Sequence, residues 1–194
     1  MSDKGAMTLA AVDAGEFRQA MGHFPTGVAV VASGAGASTE ALTVNSVTSV
    51  SLDPPLVSVC LRPGSRVLRR IAGRQEFTVN FLAAHQRPLS ALFASRARPV
   101  GRQAQAQLGD LVGAGGSVLV HGAPAVLECT VHTLAEGGDH VIVLGRVEAL
   151  HLDGGAEPDP LVFHRGRYTR LAPYADAVGP GAVALADPVT TPGR

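Results

Sequence analysis

Thr43-Val44-Asn45-Ser46-Val47-Thr48-Ser49-Val50-Ser51, closed by Asp53-Pro54-Pro55, is the stretch on which the reading of this chain turns. It sets six side chains with hydroxyl or amide groups among valines, between two segments that read as buried strands. A strand that only had to pack would not carry them, because each polar group buried without a partner costs roughly 1–3 kcal/mol. Either water satisfies these groups or a polar ligand does. An Asn/Ser turn that caps its own backbone is the plainer alternative.

Outward from this run the pattern is one of short strands. Residues 28–32 form a compact β-branched strand, residues 34–38 a flexible turn, and residues 41–44 and 56–61 further strands. Upstream, Asp13 precedes Glu16 at the spacing of a partial capping box. Phe17, Ala20, Met21 and Phe24 then recur at i, i+3, i+4 and i+7, one apolar stripe on a helix ended by Pro25 and Gly27. Downstream, Ser65 is placed to cap a second helix with Val67, Leu68 and Ile71 on one side. Residues 77–82 read as a strand, and a third helix starts near Pro88 with Leu89, Leu92 and Phe93 inward. Residues 95–117 show no strong periodicity and read as a long surface excursion.

Further on, Ala125, Leu127, Cys129 and Val131 alternate with Glu128, Thr130 and His132, which predicts a strand with one wet face. Glu136-Gly137-Gly138-Asp139 turns the chain. Residues 141–144 are uniformly apolar, so that strand is expected to be covered on both faces, with a dimer partner as one candidate cover. Residues 147–152 continue it, and a last hairpin folds around Arg165-Gly166. Residues 1–12 read as a loose arm, 13–171 as one domain and 172–194 as a disordered tail. Strands outnumber helices, which points to a mainly β (α+β) fold, a small closed barrel with a few peripheral helices.

Composition narrows the classes. With 194 residues, 46% of them hydrophobic and 16% charged, the chain is long enough for a sizeable core. Formal net charge is zero and basic residues cluster only as short pairs such as Arg69-Arg70, which argues against capture of nucleic acid. The two cysteines, Cys60 and Cys129, lie in apolar strand-like runs and read as buried free thiols without metal-ligand spacing. No stretch approaches the ~20 apolar residues of a membrane span, and no signal-peptide pattern opens the chain, so a soluble, cytoplasmic protein is expected.

No nucleophile elbow, metalloprotease helix, phosphate loop or paired cysteines occur, and Gly34-x-Gly36 is too short for a dinucleotide fingerprint. A chain without an acid, base and nucleophile set either binds something or leaves the chemistry to a cofactor. Several segments, in order, resemble the flavin reductase-like, FMN-binding split-barrel family. They are Phe24-Pro25-Thr26-Gly27-Val28, the run from Thr43 to Pro55, and Phe77-Thr78-Val79-Asn80-Phe81-Leu82 with Gln86 and Leu89-Ser90. Leu127-Glu128-Cys129, Gly138-Asp139-His140, Pro160-Leu161-Val162-Phe163 and Arg165-Gly166-Arg167-Tyr168 complete the set. The nearest branch resembles short-chain reductase components of two-component flavin-dependent monooxygenases.

The resemblance implies a homodimeric split β-barrel that binds FMN, or FAD, and oxidises NADH or NADPH. It further implies that reduced flavin passes to a partner monooxygenase, without nucleic acid, membrane or metal. It places Thr43, Asn45, Ser46 and Ser49 against the flavin ring and ribityl chain. Ser65, with the first-turn amides of Arg66 and Val67, falls at the phosphate; a plain N-cap serine is the alternative. Thr26, Asn80, Phe81 and Gln86 fall near the flavin, with core or turn roles open for the last three. Asp139 and His140 fall at the nicotinamide nucleotide, His140 as a ligand rather than a general base. Residues 94–117 depart from the family pattern, lacking the usual aromatic in the segment that covers the site. A non-catalytic FMN-binding carrier and a pyridoxamine-phosphate-oxidase-like enzyme are the alternatives, the latter short of Arg and Lys for a substrate phosphate.

Overall fold

The computed structural model describes residues 11–153 and 158–171. These residues hold four α-helices: α1 (Ala14–Met21), α2 (Arg66–Arg74), α3 (Arg87–Ala94) and α4 (Gly101–Leu108). Ten strands accompany them. The first six are β1 (Thr26–Gly27), β2 (Ala29–Ser33), β3 (Glu40–Val44), β4 (Thr48–Leu52), β5 (Pro55–Leu61) and β6 (Glu76–Phe81). The last four are β7 (Ala125–Gly137), β8 (His140–Leu152), β9 (Val162–His164) and β10 (Arg167–Thr169). Seven of them make one antiparallel sheet in the order β3-β2-β6-β7-β8-β5-β4, while β1, β9 and β10 form a small second sheet.

The sheet order forces a barrel. Strands β3 and β4 are its two edges, yet only Asn45, Ser46 and Val47 separate them in sequence. Laid flat, seven strands at ~4.8 Å spacing would hold their edges about 29 Å apart. The linker from Val44 to Thr48 can reach only about 14 Å. The sheet therefore curls until its edges meet at this corner, and the barrel is split along the β3/β4 seam.

Alternating side chains of β2 face two cores. Ala29 and Val31 join Val57 and Val59 of β5, Phe77 and Val79 of β6, Cys129 of β7 and Val143 of β8, the barrel interior. Val67, Leu68 and Ile71 of α2 plug it from one end. Phe77 explains the glycine opposite: a Cβ on Gly145 would run into the Phe77 ring. Val30 and Ala32 face an outer core with Phe93, Ala104, Leu108 and Val118.

Several expectations need correction. The α1 stripe exists, with Asp13 Oδ1 accepting the Gly15 and Glu16 amides, but no residue of α1 is buried. Phe17, Met21 and Phe24 stay 59%, 51% and 67% exposed, outside both hydrophobic clusters of the described residues. Residues 95–117 are not a plain excursion: α4 buries Ala104 and Leu108, and Gln105 accepts the Gly36 amide. Two small apolar contacts one turn apart, without a cap residue, leave little periodicity to read.

In β7, Leu127, Cys129 and Val131 keep their alternation on the barrel core, but Glu128 on the opposite face is buried rather than wet, because Gly113, Gly115 and His151 cover it. Its carboxylate meets His151 Nε2 at 2.6 Å and accepts the Gly115 amide at 3.2 Å. Of residues 141–144 only Val143 is buried; the other three are half-buried in the single chain. Cys60 is half-buried, so only Cys129 matches the buried-thiol reading. The tail and all but residues 11 and 12 of the arm lie outside the described residues.

Candidate functional site

The β3/β4 corner opens into a cleft of about 680 Å³. One wall is the end of β3 and the linker, Leu42 to Ser46. The other is Cys60 and Leu61 with the loop Arg62-Pro63-Gly64-Ser65 that leads into α2. Ala94 at the end of α3, with Arg96 and Arg98 just beyond it, closes the third side, and His140 at the start of β8 reaches in.

The hydroxyls of this cleft are held by the chain itself. Thr43 Oγ1 donates to the Ser90 carbonyl at 2.7 Å, and the Ser90 hydroxyl in turn meets the Tyr168 hydroxyl at 2.9 Å. Ser46 Oγ accepts the Cys60 amide at 3.0 Å and donates to the Cys60 carbonyl at 3.3 Å. Each hydroxyl has one proton and two lone pairs. With both protons spent internally, Thr43 and Ser46 can offer a ligand only lone pairs. Asn45 is exposed on the cleft and keeps both donors and acceptor.

Ser65 caps α2, accepting the Leu68 amide at the long distance of 3.5 Å, so the plain N-cap role is present. It also lines the cleft, where the first-turn amides of Arg66 and Val67 have no intrahelical acceptor. His140 Nδ1 lies 2.8 Å from Asp139 Oδ1. An ionised carboxylate only accepts, so Nδ1 carries the proton and Nε2 is left for a ligand. Hydrogen bonding from His140 and its charge hold the Asp139 carboxyl below its ordinary range, with Arg62 adding to the effect.

The structure thus brings together Thr43, Asn45, Ser46, Ser65 and His140, with the exposed Asp139 behind the histidine. It does not bring in the others. Asn80 is wholly buried: its amide donates to the Val30 carbonyl and Thr78 Oγ1, and Oδ1 accepts the Val120 amide. Gln86 caps its own turn through the Ala83 amide and bonds the His121 carbonyl. Phe81 packs on the barrel core, and Ser49 is exposed on β4 opposite Val57. Thr26 sits in the second sheet, its hydroxyl buried without a hydrogen-bond partner. The Arg66 side chain turns away to Glu40 at 3.0 Å.

Sequence reading missed Arg62, Arg96 and Arg98. The signal was a local bias hidden by zero net charge: residues 54–109 hold nine arginines and one acid, Glu76. Burial and the neighbouring Arg66 cation push the Arg98 guanidinium down from its ordinary value, while Glu40 pulls it back up. Arg98 Nε is buried without a hydrogen-bond partner. A buried donor left so costs about 1–3 kcal/mol, which an anionic oxygen would relieve.

Apolar wall (Leu42, Val44, Leu61), lone pairs, a free amide and three guanidiniums fit a molecule with a flat ring, a polyol chain and a phosphate, as FMN is. A second cleft of about 310 Å³ is lined by Glu76, Glu128 and Glu148 with no base, and would repel such an anion.

Comparison with known proteins agrees with this fit. The model of the flavin reductase like domain matches residues 21–172. An NADH-dependent FMN reductase of Streptomyces nodosus subsp. asukaensis is 52% identical over 156 residues, 80% of this chain and 84% of its own. The reductase component of 4-hydroxyphenylacetate 3-monooxygenase of Thermus thermophilus is 37% identical over 155 residues, 80% of this chain and 95% of its own. The solved NADH:FAD oxidoreductase of Streptomyces globisporus, in complex with NAD and FAD fragments, superposes with a TM-score of 0.76 at 37% identity. That superposition covers 87% of this chain and 100% of the other. The seven-stranded sheet split at β3/β4 is the split barrel these proteins share, and the chain belongs to the flavin reductase-like family.

Proposed function

We propose that this chain is an NAD(P)H:flavin oxidoreductase that reduces FMN, with FAD as the alternative acceptor, and supplies reduced flavin to a partner monooxygenase. The observation that carries the reading is the cleft at the split, where acceptor hydroxyls, arginines and a ligand-ready histidine converge. The relatives' names, an NADH-dependent FMN reductase and a monooxygenase reductase component, supply the direction and favour NADH as donor.

Bound flavin would supply the redox chemistry, accepting hydride from the nicotinamide. The chain's own work is to bind and orient. Thr43 and Ser46, offering lone pairs only, suit the donors of a flavin, its ring N3–H or ribityl hydroxyls, rather than its carbonyl oxygens. Ser65, the first-turn amides of α2 and Arg98 suit the phosphate. His140, its tautomer set by Asp139, presents Nε2 to the nicotinamide nucleotide. Thr26, Ser49, Asn80, Phe81 and Gln86 act through the fold or through surfaces outside the cleft.

A cytoplasmic homodimer completes the reading. The exposed stripe of Phe17, Met21 and Phe24 supports a second copy as its cover. Two free cysteines suit a reducing compartment, and no described helix is long and apolar enough to cross a membrane.

The test is NADH and NADPH oxidation by purified protein, followed by nicotinamide absorbance with and without FMN or FAD. Turnover that requires added flavin is expected. Flavin that stays bound through dialysis and ignores both nucleotides would overturn the reading in favour of an electron-carrier module.

A further inference from the structure

A second concavity of about 360 Å³ adjoins the cleft on the outer face of α2, lined by Glu40, Arg66, Arg69, Arg70, Gly73 and Arg74. The two share a border, since Ser65 lines the cleft and the next residue, Arg66, lines the groove. The helix that makes it is arranged at a cost to itself. Arg66/Arg70 and Arg70/Arg74 are like-charged i, i+4 pairs, and Arg66 stands in the first turn, where the helix dipole disfavours a cation.

Gly73, in the last turn of α2, is also a poorer helix former than alanine. Neither backbone conformation nor packing demands it: a Cβ there would meet nothing within 4 Å. It leaves open space beside the guanidiniums.

The cations are only partly spent on the protein. Glu40 answers only Arg66 Nε, at 3.0 Å, and Arg66 Nη2 is buried without a hydrogen-bond partner. Arg74 meets Glu76 at 3.6 Å and the Gly115 carbonyl at 3.2 Å, and Arg69 holds the Gly64 carbonyl at 2.9 Å. Arg70, half-buried in the groove, has no ion-pair or hydrogen-bond partner among the described residues. An excess of guanidinium around a small polar hollow is a site for a compact polyanion.

We propose that this groove holds the diphosphate of a dinucleotide, FAD or the nicotinamide nucleotide, whose reactive ring lies in the adjoining cleft. FMN, which ends at one phosphate, does not reach it. The inference rests on the flavin reductase reading for the ring's position, while the diphosphate chemistry stands on the groove itself.

The test compares the wild type, Arg70→Gln, Arg70→Lys and, as a control on α4, Arg102→Gln. Flavin fluorescence gives the FAD and FMN dissociation constants, calorimetry gives binding of ADP alone, and the NADH KM is taken with FMN as acceptor. Arg70→Gln is expected to weaken ADP about tenfold, the value of one charge-assisted hydrogen bond, and to leave FMN within about twofold. Arg70→Lys should recover part of the loss and Arg102→Gln should show none.

A parallel loss in FAD affinity assigns the groove to the flavin's diphosphate; a raised NADH KM assigns it to the nucleotide's. Unchanged ADP binding, or equal losses for FAD and FMN, overturns the groove. Absence of NADH oxidation with any flavin overturns the reductase reading instead, and the ADP titration still decides the groove.

Discussion

The Ser46 hydroxyl stands in for a strand backbone: it accepts the Cys60 amide at 3.0 Å and donates to the Cys60 carbonyl at 3.3 Å. In the β4/β5 ladder Thr48 faces Ser58, so Ser46 falls where the next pair would be. At that point the main chain leaves β5 to cross the split toward β3, and its own N–H and C=O no longer reach the partner strand. The side chain supplies both bonds and pins the linker that floors the cleft. One residue thus joins the closure of the barrel to the shape of its site.

Ser46→Ala removes both bonds and leaves the Cys60 amide short of a partner. A loss of about 1–2 kcal/mol is expected, read as a lower denaturation midpoint with unchanged slope. Flavin affinity should fall in the same variant, because Asn45 and Thr43 flank the freed corner. An unchanged midpoint would mean that β4 pairing alone holds the linker.

His140→Ala tests the nicotinamide side. The KM for NADH should rise about tenfold while flavin affinity stays within about twofold, as expected for one lost ligand contact. Asp139→Asn should act in the same direction but less, because His140 keeps its place and loses only the partner that fixes its tautomer. Equal losses for flavin and NADH would put His140 against the flavin instead.

The depressed Asp139 carboxyl carries a sign for stability. A carboxylate held below its unfolded value stabilises the folded chain above that value and loses the effect as pH falls through the lowered one. Asp139 is exposed, so the contribution is small, and it is constant through the neutral range. Any change of NADH KM near neutrality must then come from another group.

How far the sequence could be read depends on whether a signal was local. The caps of α1 and α2, the inward face of α2 and the hairpin at Gly138 sit in windows of a few residues, and each lies where its pattern predicted. The polar run at Thr43–Ser51 was legible because it violates the economy of a buried strand. Its division of labour was not: alternation along β3 and β4 turns Thr43 inward and Ser49 outward only once the sheet order is known.

Glu128 misled because the loop at Gly113–Gly115, distant in sequence, covers a strand face that alternation alone marks as wet. The arginines were hidden for a different reason. Arg62 is far in sequence from Arg96 and Arg98, and they meet only because the loop before α2 and the segment after α3 flank one opening.

Asn80→Ala should show where resemblance and structure part. Its amide ties β6 to β2 and to the loop at Val120, with every group away from water. Leaving the Val120 amide and the Val30 carbonyl short of partners, above a small cavity, should cost on the order of 3 kcal/mol. Residual folded protein should bind FMN as the wild type does. A variant of normal stability with weakened FMN binding would return Asn80 to the site.

The two cysteines give the last prediction. Burial, reinforced by Glu148 and Glu128, pushes the Cys129 thiol up to about 12. Unfolded, the same thiol ionises near 8.5. Between those values the folded chain keeps a proton that the unfolded chain has released, so stability declines as pH rises, by up to about 1.4 kcal/mol per pH unit. Native protein should therefore show one thiol to a disulfide reagent at mildly alkaline pH, Cys60, and the second only on unfolding. Cys60 lines the cleft, so added FMN should slow its reaction, whereas Cys129→Ala should flatten the alkaline fall in stability. Protection of Cys60 by FMN would tie the flavin to the wall that Ser46 holds, and a Cys60 rate indifferent to FMN would move the flavin elsewhere.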